Sequence, residues 1–345
     1  MKKLIALLIF ASFFCFSCGG SKDAGLAELK VGIVTWGGYA AGLTANGGFT
    51  TVKDSLYDKL GIKVTFVVIE DFEKSRAAFR SGNIDLLWGT VDSFSLEYPA
   101  LKAVNPVVLF QNDFSRGGDA IAVIDSIQTP ADLKGKTVAV AEGTPSHFYV
   151  LHVLKSAGLS KDDVKWVFTK SAIDAANAFK SGSVDSCVSW APDVYMAAQA
   201  RSGGKILSST KEENQLIADI FMAKKEFALA NKALLKKFML GWFQGLALVE
   251  ADRKGAATLM TSEVSKGFSG VDMELATVML DSVYLPTYEE NRDFFKADSQ
   301  SVNFYKLFAE SEAIWMEVGF LKEKTDPAPS VMNELLEELK DEFQQ

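Results

Sequence analysis

From Leu29 onward the apolar positions fall into two alternating patterns. Short runs rich in β-branched and aromatic residues, "LKVGIVTW" (29–36), "IKVTFVVI" (62–69) and "IDLLWG" (84–89), predict strands. Between them lie "FTTVKDSLYDKLG" (49–61) and "DFEKSRAAFRSG" (71–82), whose apolar residues recur at helical spacing. Gly61 and Gly82 stand where a helix stops, and Asp71 suits an N-cap. Strand–helix–strand alternation of this kind builds a mainly parallel sheet with helices on its faces.

The pattern is then written a second time. "VTFVVIEDFEKSRAAFRSGNIDLLW" begins at Val64 and "VKWVFTKSAIDAANAFKSGSVDSCV" at Val164; each reads as strand, helix, glycine stop and strand. Upstream, "KVGIVTWGG" (30–38) and "KTVAVAEGT" (136–144) are both strands running into a glycine turn, and "PSHFYVLHVLKSAG" follows the second as a helix. A spacing of about one hundred residues is too long for a solenoid repeat. It predicts an α/β chain of two similar lobes.

The first lobe ends near Arg116-Gly117-Gly118, and the second runs from 117 to 215. "IADIFMAKKEF" (217–227) predicts a strand returning to the first lobe. That assigns 29–116 and 216–345 to lobe one. The remainder reads as helices at 232–251, 301–320 and 329–343, the last opening with Pro329 and Ser330.

The first residues have another character. Two lysines precede an apolar run from Leu4 to Phe16, too short for a stable membrane span and shaped like a secretory signal. Ser17-Cys18 then leads into "GGSKDAG", a flexible tether. A small residue before a cysteine resembles the bacterial lipoprotein cleavage box, although Cys15 and Phe16 depart from its pattern. The expectation is a signal at 1–17, a lipid on Cys18, a tether at 18–28 and an exported, membrane-anchored protein. Only Cys187 would then remain unmodified, which excludes an intramolecular disulfide. Removing Lys2 and Lys3 takes the formal charge from -8 to -10. With no basic run anywhere, nucleic acid is excluded as a general partner.

An exported chain with two α/β lobes and two crossings resembles the periplasmic solute-binding proteins of bacterial ABC importers. It is most similar to the branch for nitrate, taurine and aliphatic sulfonates. The residues that carry the resemblance are "DLKGKTVAV" (132–140), Gly143-Thr144, and the stretch from Ala178 to Pro192. "TWGGYAAGLTANGGF" (35–49) is less usual in that branch. The resemblance implies two type II-like lobes that close on a small solute by a hinge and then dock on a membrane permease. It implies no chemistry on the solute, no cofactor and a monomer.

In open α/β sheets ligands bind beyond the carboxyl ends of the strands. Four such places carry candidate residues. They are Thr35, Trp36, Gly37, Gly38 and Tyr39; Trp88, Gly89, Thr90 and Asp92; Gly143, Thr144, Pro145, Ser146 and His147; and Ser189, Trp190, Ala191, Pro192 and Asp193. Asp219, on the returning strand, joins them. The amides of the Thr144-Pro145 helix start suit an acidic group, and His147 could donate to it. Aromatic residues at 36, 39, 88 and 190 suit an organic body. Asp92, Asp193 and Asp219 suit a positive or donating group. The expected ligand is a small organic solute with an acidic end, with an amine as a further option. His147 and His152 lie five apart on one helix, a poor spacing for sharing a metal.

Three rivals remain open at this stage. A sensory binding protein would present the same cleft to a receptor, and a lipid-anchored adhesin would lack deep ligand burial. The thiamine-pyrimidine enzyme on this fold carries a "CCCFC" motif absent here, and there is no nucleophile elbow, HExxH or phosphate loop.

Overall fold

A computed structural model describes residues 26–261 and 267–343. The expected signal, Cys18 and most of the tether lie outside the described residues. The strands divide between two sheets. One holds β1 (Ala27–Ile33), β2 (Ile62–Val68), β3 (Leu86–Thr90), β4 (Pro106–Ser115), β10 (Ala218–Lys224) and β11 (Val283–Tyr284). The other holds β5 (Asp119–Ile124), β6 (Thr137–Ala141), β7 (Lys165–Thr169), β8 (Ser186–Trp190) and β9 (Gly204–Ser209).

The two sheets share one plan. The first runs β11-β4-β10-β3-β1-β2 and the second β7-β6-β8-β5-β9. In each, three parallel strands meet one antiparallel strand that has come across from the other sheet: β10 against β3, and β5 against β8. The written repeat is the β2–helix–β3 unit and its partner β7–helix–β8, with helices at Phe72–Ser81 and Ala172–Lys180. Asp71 and Ser171 cap these helices by accepting from the amides of Lys74 and Asp174. Gly82 and Gly182 follow at φ 79° and 84°, where a residue with a Cβ is strained. Every residue of β3 and β8 is buried, as expected of a central strand covered on both faces.

The two crossings lie side by side. β4 hands over to β5 through residues 116–118, and β9 returns to β10 through 210–217. The hydroxyls of Ser115 and Thr210 are 2.7 Å apart, the amide of Gly117 donates to Thr210 Oγ1 at 2.9 Å, and the amide of Asp119 donates to Ser115 Oγ at 3.0 Å.

The helix Lys232–Ala251 covers the first sheet, where Phe110, Phe221, Phe238 and Trp242 pack ring against ring. The helix Phe304–Glu317 is shared. Phe304, Leu307 and Phe308 enter the first core, whereas Ile314 and Trp315 enter the second. The sequence reading had placed this tail with the first lobe alone.

Two other stretches differ from expectation. Residues 49–52 are extended and pair with β2, through the bridge Thr50–Thr65 and the Thr51 amide on the Val64 carbonyl; only Leu56–Lys59 is helical there. The tail from 329 does not form one long helix, because Val331 and Met332 pair with Val108 of β4 before a short turn at Glu334–Glu337.

Candidate functional site

Where the two sheets face each other, Val34, Trp36, Trp88 and Asp219 from one side meet Asp119, Pro145 and Trp190 from the other. The cavity they enclose has about 10 Å³ of room, roughly one water. The cleft is therefore closed, and both halves supply its walls. Trp88 and Trp190 touch across it, edge to face, with ring centroids 6.1 Å apart.

Each wall is set by local structure. Beyond β1, Trp36 turns back and its Nε1 donates to both oxygens of Asp113, at 3.2 and 3.1 Å. Gly38 lies so close that a Cβ there would land on the Asp113 carboxylate. A Cβ on Gly37 would strike the Met279 carbonyl. Thr35 is engaged by Glu70, which accepts from its amide at 3.0 Å and its hydroxyl at 2.6 Å. Tyr39 is fully buried beside Phe221, and its hydroxyl has no hydrogen-bond partner among the described residues.

Beyond β3, Thr90 caps the helix Val91–Leu101 by accepting from the Ser93 amide at 3.3 Å, and Asp92 lies in that helix's first turn. Beyond β8, Asp193 lies in the first turn of Asp193–Ala200. Beyond β6, Thr144 donates its hydroxyl to the Ala141 carbonyl at 2.7 Å and does not cap the helix Pro145–Ser156. Ser146 donates to Asp119 at 3.2 Å. His147 is turned away from the cavity. It accepts from the Gly143 amide on Nδ1 at 3.2 Å and sits among Trp166, Phe168, Trp315 and Phe320. Burial lowers its pKa to about 4, so the ring is neutral at pH 7.

Of the candidates from sequence, the structure brings Trp36, Trp88, Trp190 and Asp219 to the cavity wall, with Pro145 beside them. Thr90, Asp92, Ser146 and Asp193 support it from the ends of the strands. Thr35, Gly37, Gly38, Gly143, Thr144 and His147 make contacts within the fold, whereas the Tyr39 hydroxyl, beside Asp219 and Asp113, has no partner among the described residues.

Sequence reasoning missed Asp113 and Asp119. They stand in β4 and at the start of β5, and Asp113 lies directly opposite Asp219 in the sheet. A polar "QND" inside an otherwise apolar strand was the available signal.

These acids dominate the electrostatics. Asp92, Asp113, Asp119 and Asp219 are each 5 % exposed or less. Burial raises Asp92 and Asp119 to about 7 and Asp113 to about 8, and it holds Asp219 well above the usual carboxylate range. The carboxylates compound this on one another: Asp219 feels Asp113, Asp119 and Asp92. Asp193 rises to about 6 through burial and then Glu70. Among the described residues no cluster of His, Cys, Asp and Glu is arranged to hold a metal ion. No described helix is long and apolar enough to cross a membrane.

The NMT1/THI5 like family model matches residues 53–256, more than half of the chain. The taurine-binding periplasmic protein of Escherichia coli (strain K12) is 28% identical over 165 residues, covering 47% of this chain and 49% of its own. The chain thus spans about half the length of the Escherichia coli relatives it matches. Among solved structures, the periplasmic aliphatic sulphonate binding protein SsuA from Escherichia coli superposes with TM-score 0.69 at 21% identity, covering 90% of this chain and 99% of that one. The periplasmic nitrate-binding protein NrtA from Synechocystis PCC 6803 gives 0.71 at 13% identity, covering 92% and 89%. The desulfurization enzyme DSZB has the same fold, with TM-score 0.64 at 14% identity over 92% of this chain and 100% of that one.

Proposed function

The chain belongs to the NMT1/THI5-like family, and from that premise we propose that it is the solute-binding component of an ABC importer. It encloses a small organic solute between two hinge-closing lobes and delivers it to a membrane permease. The observation that carries this reading is the closed cavity itself, with Trp36, Trp88 and Asp219 on one wall and Asp119, Pro145 and Trp190 on the other. The space between these walls has room for about one water, so a solute would sit there with the two halves further apart and would contribute to closure by contacting both.

The protein binds without transforming its ligand. Among the described residues no Ser–His or Cys–His pair faces the cavity, and its polar groups besides the acids are indole N–H donors. In this reading residues 1–17 act as an export signal, and the mature chain is held outside the cytoplasmic membrane by a lipid on Cys18 and acts as a monomer. The taurine-binding relative and the sulphonate- and nitrate-binding structures support a small-molecule import role.

Native mass spectrometry of protein purified without refolding tests this. A stoichiometric small molecule is expected, lost or weakened in Trp36→Ala and Trp190→Ala while both variants keep their fold. Small-angle scattering provides the second reading: stripping the solute should enlarge the molecule and returning it should contract it. No bound molecule and no change in dimensions would overturn the proposal.

A further inference from the structure

The closed cleft gathers acids whose ionised form burial disfavours, and no basic side chain among the described residues pairs with them. Asp119 and Asp219 line it, Asp92 and Asp113 act on them from nearby, and the charges that act on these acids are one another's. One arginine already touches the wall, Arg76 at 4.8 Å from the Trp88 ring centroid. Arg76 is forked onto Glu97 at 2.7 and 2.8 Å, and Arg116 lies over the Tyr284 ring at 3.8 Å. The pKa of the Asp219 carboxyl is raised by burial and by its acidic neighbours with no donor opposing the rise, and Asp92 Oδ1 is buried without a partner among the described residues.

The donors on the wall are unmatched too. Trp88 and Trp190 both line the cavity, are 3% and 5% exposed, and have Nε1–H groups with no acceptor among the described residues. Buried polar groups normally find partners.

An anionic ligand does not answer this arrangement. The helix starts that face the cleft already carry internal acids. Ser146, in the first turn of Pro145–Ser156, holds Asp119, while Asp92 and Asp193 occupy the first turns of their own helices. A second anion would add repulsion to carboxylates that are already costly to bury.

We propose that the enclosed solute carries a positively charged nitrogen, an ammonium or amidinium, seated between the carboxylates of Asp119 and Asp219 and against the indoles of Trp36, Trp88 and Trp190. The carboxylates supply charge-assisted hydrogen bonds and the ring faces supply cation–π attraction. The free indole N–H groups require an acceptor on the same molecule, such as a hydroxyl or carbonyl oxygen. This deepens the solute-binding reading and rests on it.

Calorimetry on the mature protein, stripped by mild denaturation and refolding, tests the charge of the ligand. The probes are choline, ethanolamine and an alkylguanidine bearing a hydroxyl, set against methanesulfonate and nitrate. At least one cation is expected to bind with saturation, and Asp219→Asn and Asp119→Asn should each weaken it about thirtyfold or more, as loss of one partner of a buried charge pair does. Both variants remove a buried charge, so their folded state is retained and thermal denaturation verifies it. Binding of methanesulfonate or nitrate, tightened by either Asn variant, overturns the cation while leaving the solute-binding reading in place. If no probe of either sign binds, and native mass spectrometry finds no solute on the unstripped protein, the binding reading falls and the cation with it.

Discussion

The least comfortable group in the cleft is Asp92, and neutralising it should make the ligand-free protein more stable. Its carboxyl is 1% exposed, with Thr90 and Ser93 as its polar neighbours and Asp119 adding like charge. Burial raises its pKa from 3.8 to about 7. A tenfold shift in a protonation equilibrium corresponds to about 1.4 kcal/mol, so the ionised form is about 4 kcal/mol less favourable folded than unfolded.

The sign follows from proton counts. Between pH 4 and 7 the folded protein retains a proton that the unfolded chain has lost, so stability falls as pH rises across that window. Asp92→Asn removes the titration and keeps the shape. Because part of the rise comes from Asp119, the gain at pH 7.5 relative to pH 4.5 should be about 2–4 kcal/mol. Urea denaturation of both proteins at pH 4.5, 6 and 7.5 measures it. His147, which titrates in the same range with the opposite sign, is common to both proteins and cancels in the difference. Stability curves that stay parallel, within about 0.5 kcal/mol, would refute the claim that Asp92 is buried without compensation.

Three further outcomes are expected. Glu97→Gln leaves Arg76, 3% exposed, without its partner and should cost about 3–5 kcal/mol in thermal or urea denaturation; a loss below about 1 kcal/mol would contradict the pairing. Gly38→Ala pushes a methyl into the Asp113 carboxylate and the Trp36 ring nitrogen, and should destabilise the protein by about 2 kcal/mol or more; an unchanged melting temperature would mean that the turn is packed differently. Trp88→Leu removes the edge-to-face contact with Trp190, worth about 0.5–1.5 kcal/mol to closure. It should enlarge the ligand-free protein in small-angle scattering, and an identical profile would count against the contact.

The repeat was legible because its punctuation is local. A capping side chain, a helical spacing and a glycine with positive φ are written within a dozen residues, and Asp71 and Gly82 perform as read. The aromatic positions 36, 88 and 190 were legible for a similar reason, since they follow strands whose ends are visible.

Asp113 and Asp119 were not. Their meaning depends on which strand pairs with which, and the pairing of β4 with β10 joins residues about one hundred positions apart. Thr144 shows the opposite difficulty. Its sequence context is that of a cap, but its hydroxyl donates to a carbonyl three residues back, and the Ser146 hydroxyl in the same first turn donates to an acid from a distant strand. The extended stretch 49–52 escaped for the same reason, because pairing with β2 overrode a helical spacing.

The side-by-side crossings have a mechanical consequence. Segments 116–118 and 210–217 are pinned together by Ser115 and Thr210, and the helix Phe304–Glu317 lies across both cores as a brace. Two adjacent joints with a brace permit bending and resist twisting. On the solute-binding reading proposed above, opening would have essentially one degree of freedom, and the protein would work as a caliper: the size of whatever lay between the jaws would set one angle. A single distance measured across the mouth would then rank every solute by the width at which it stops the closure.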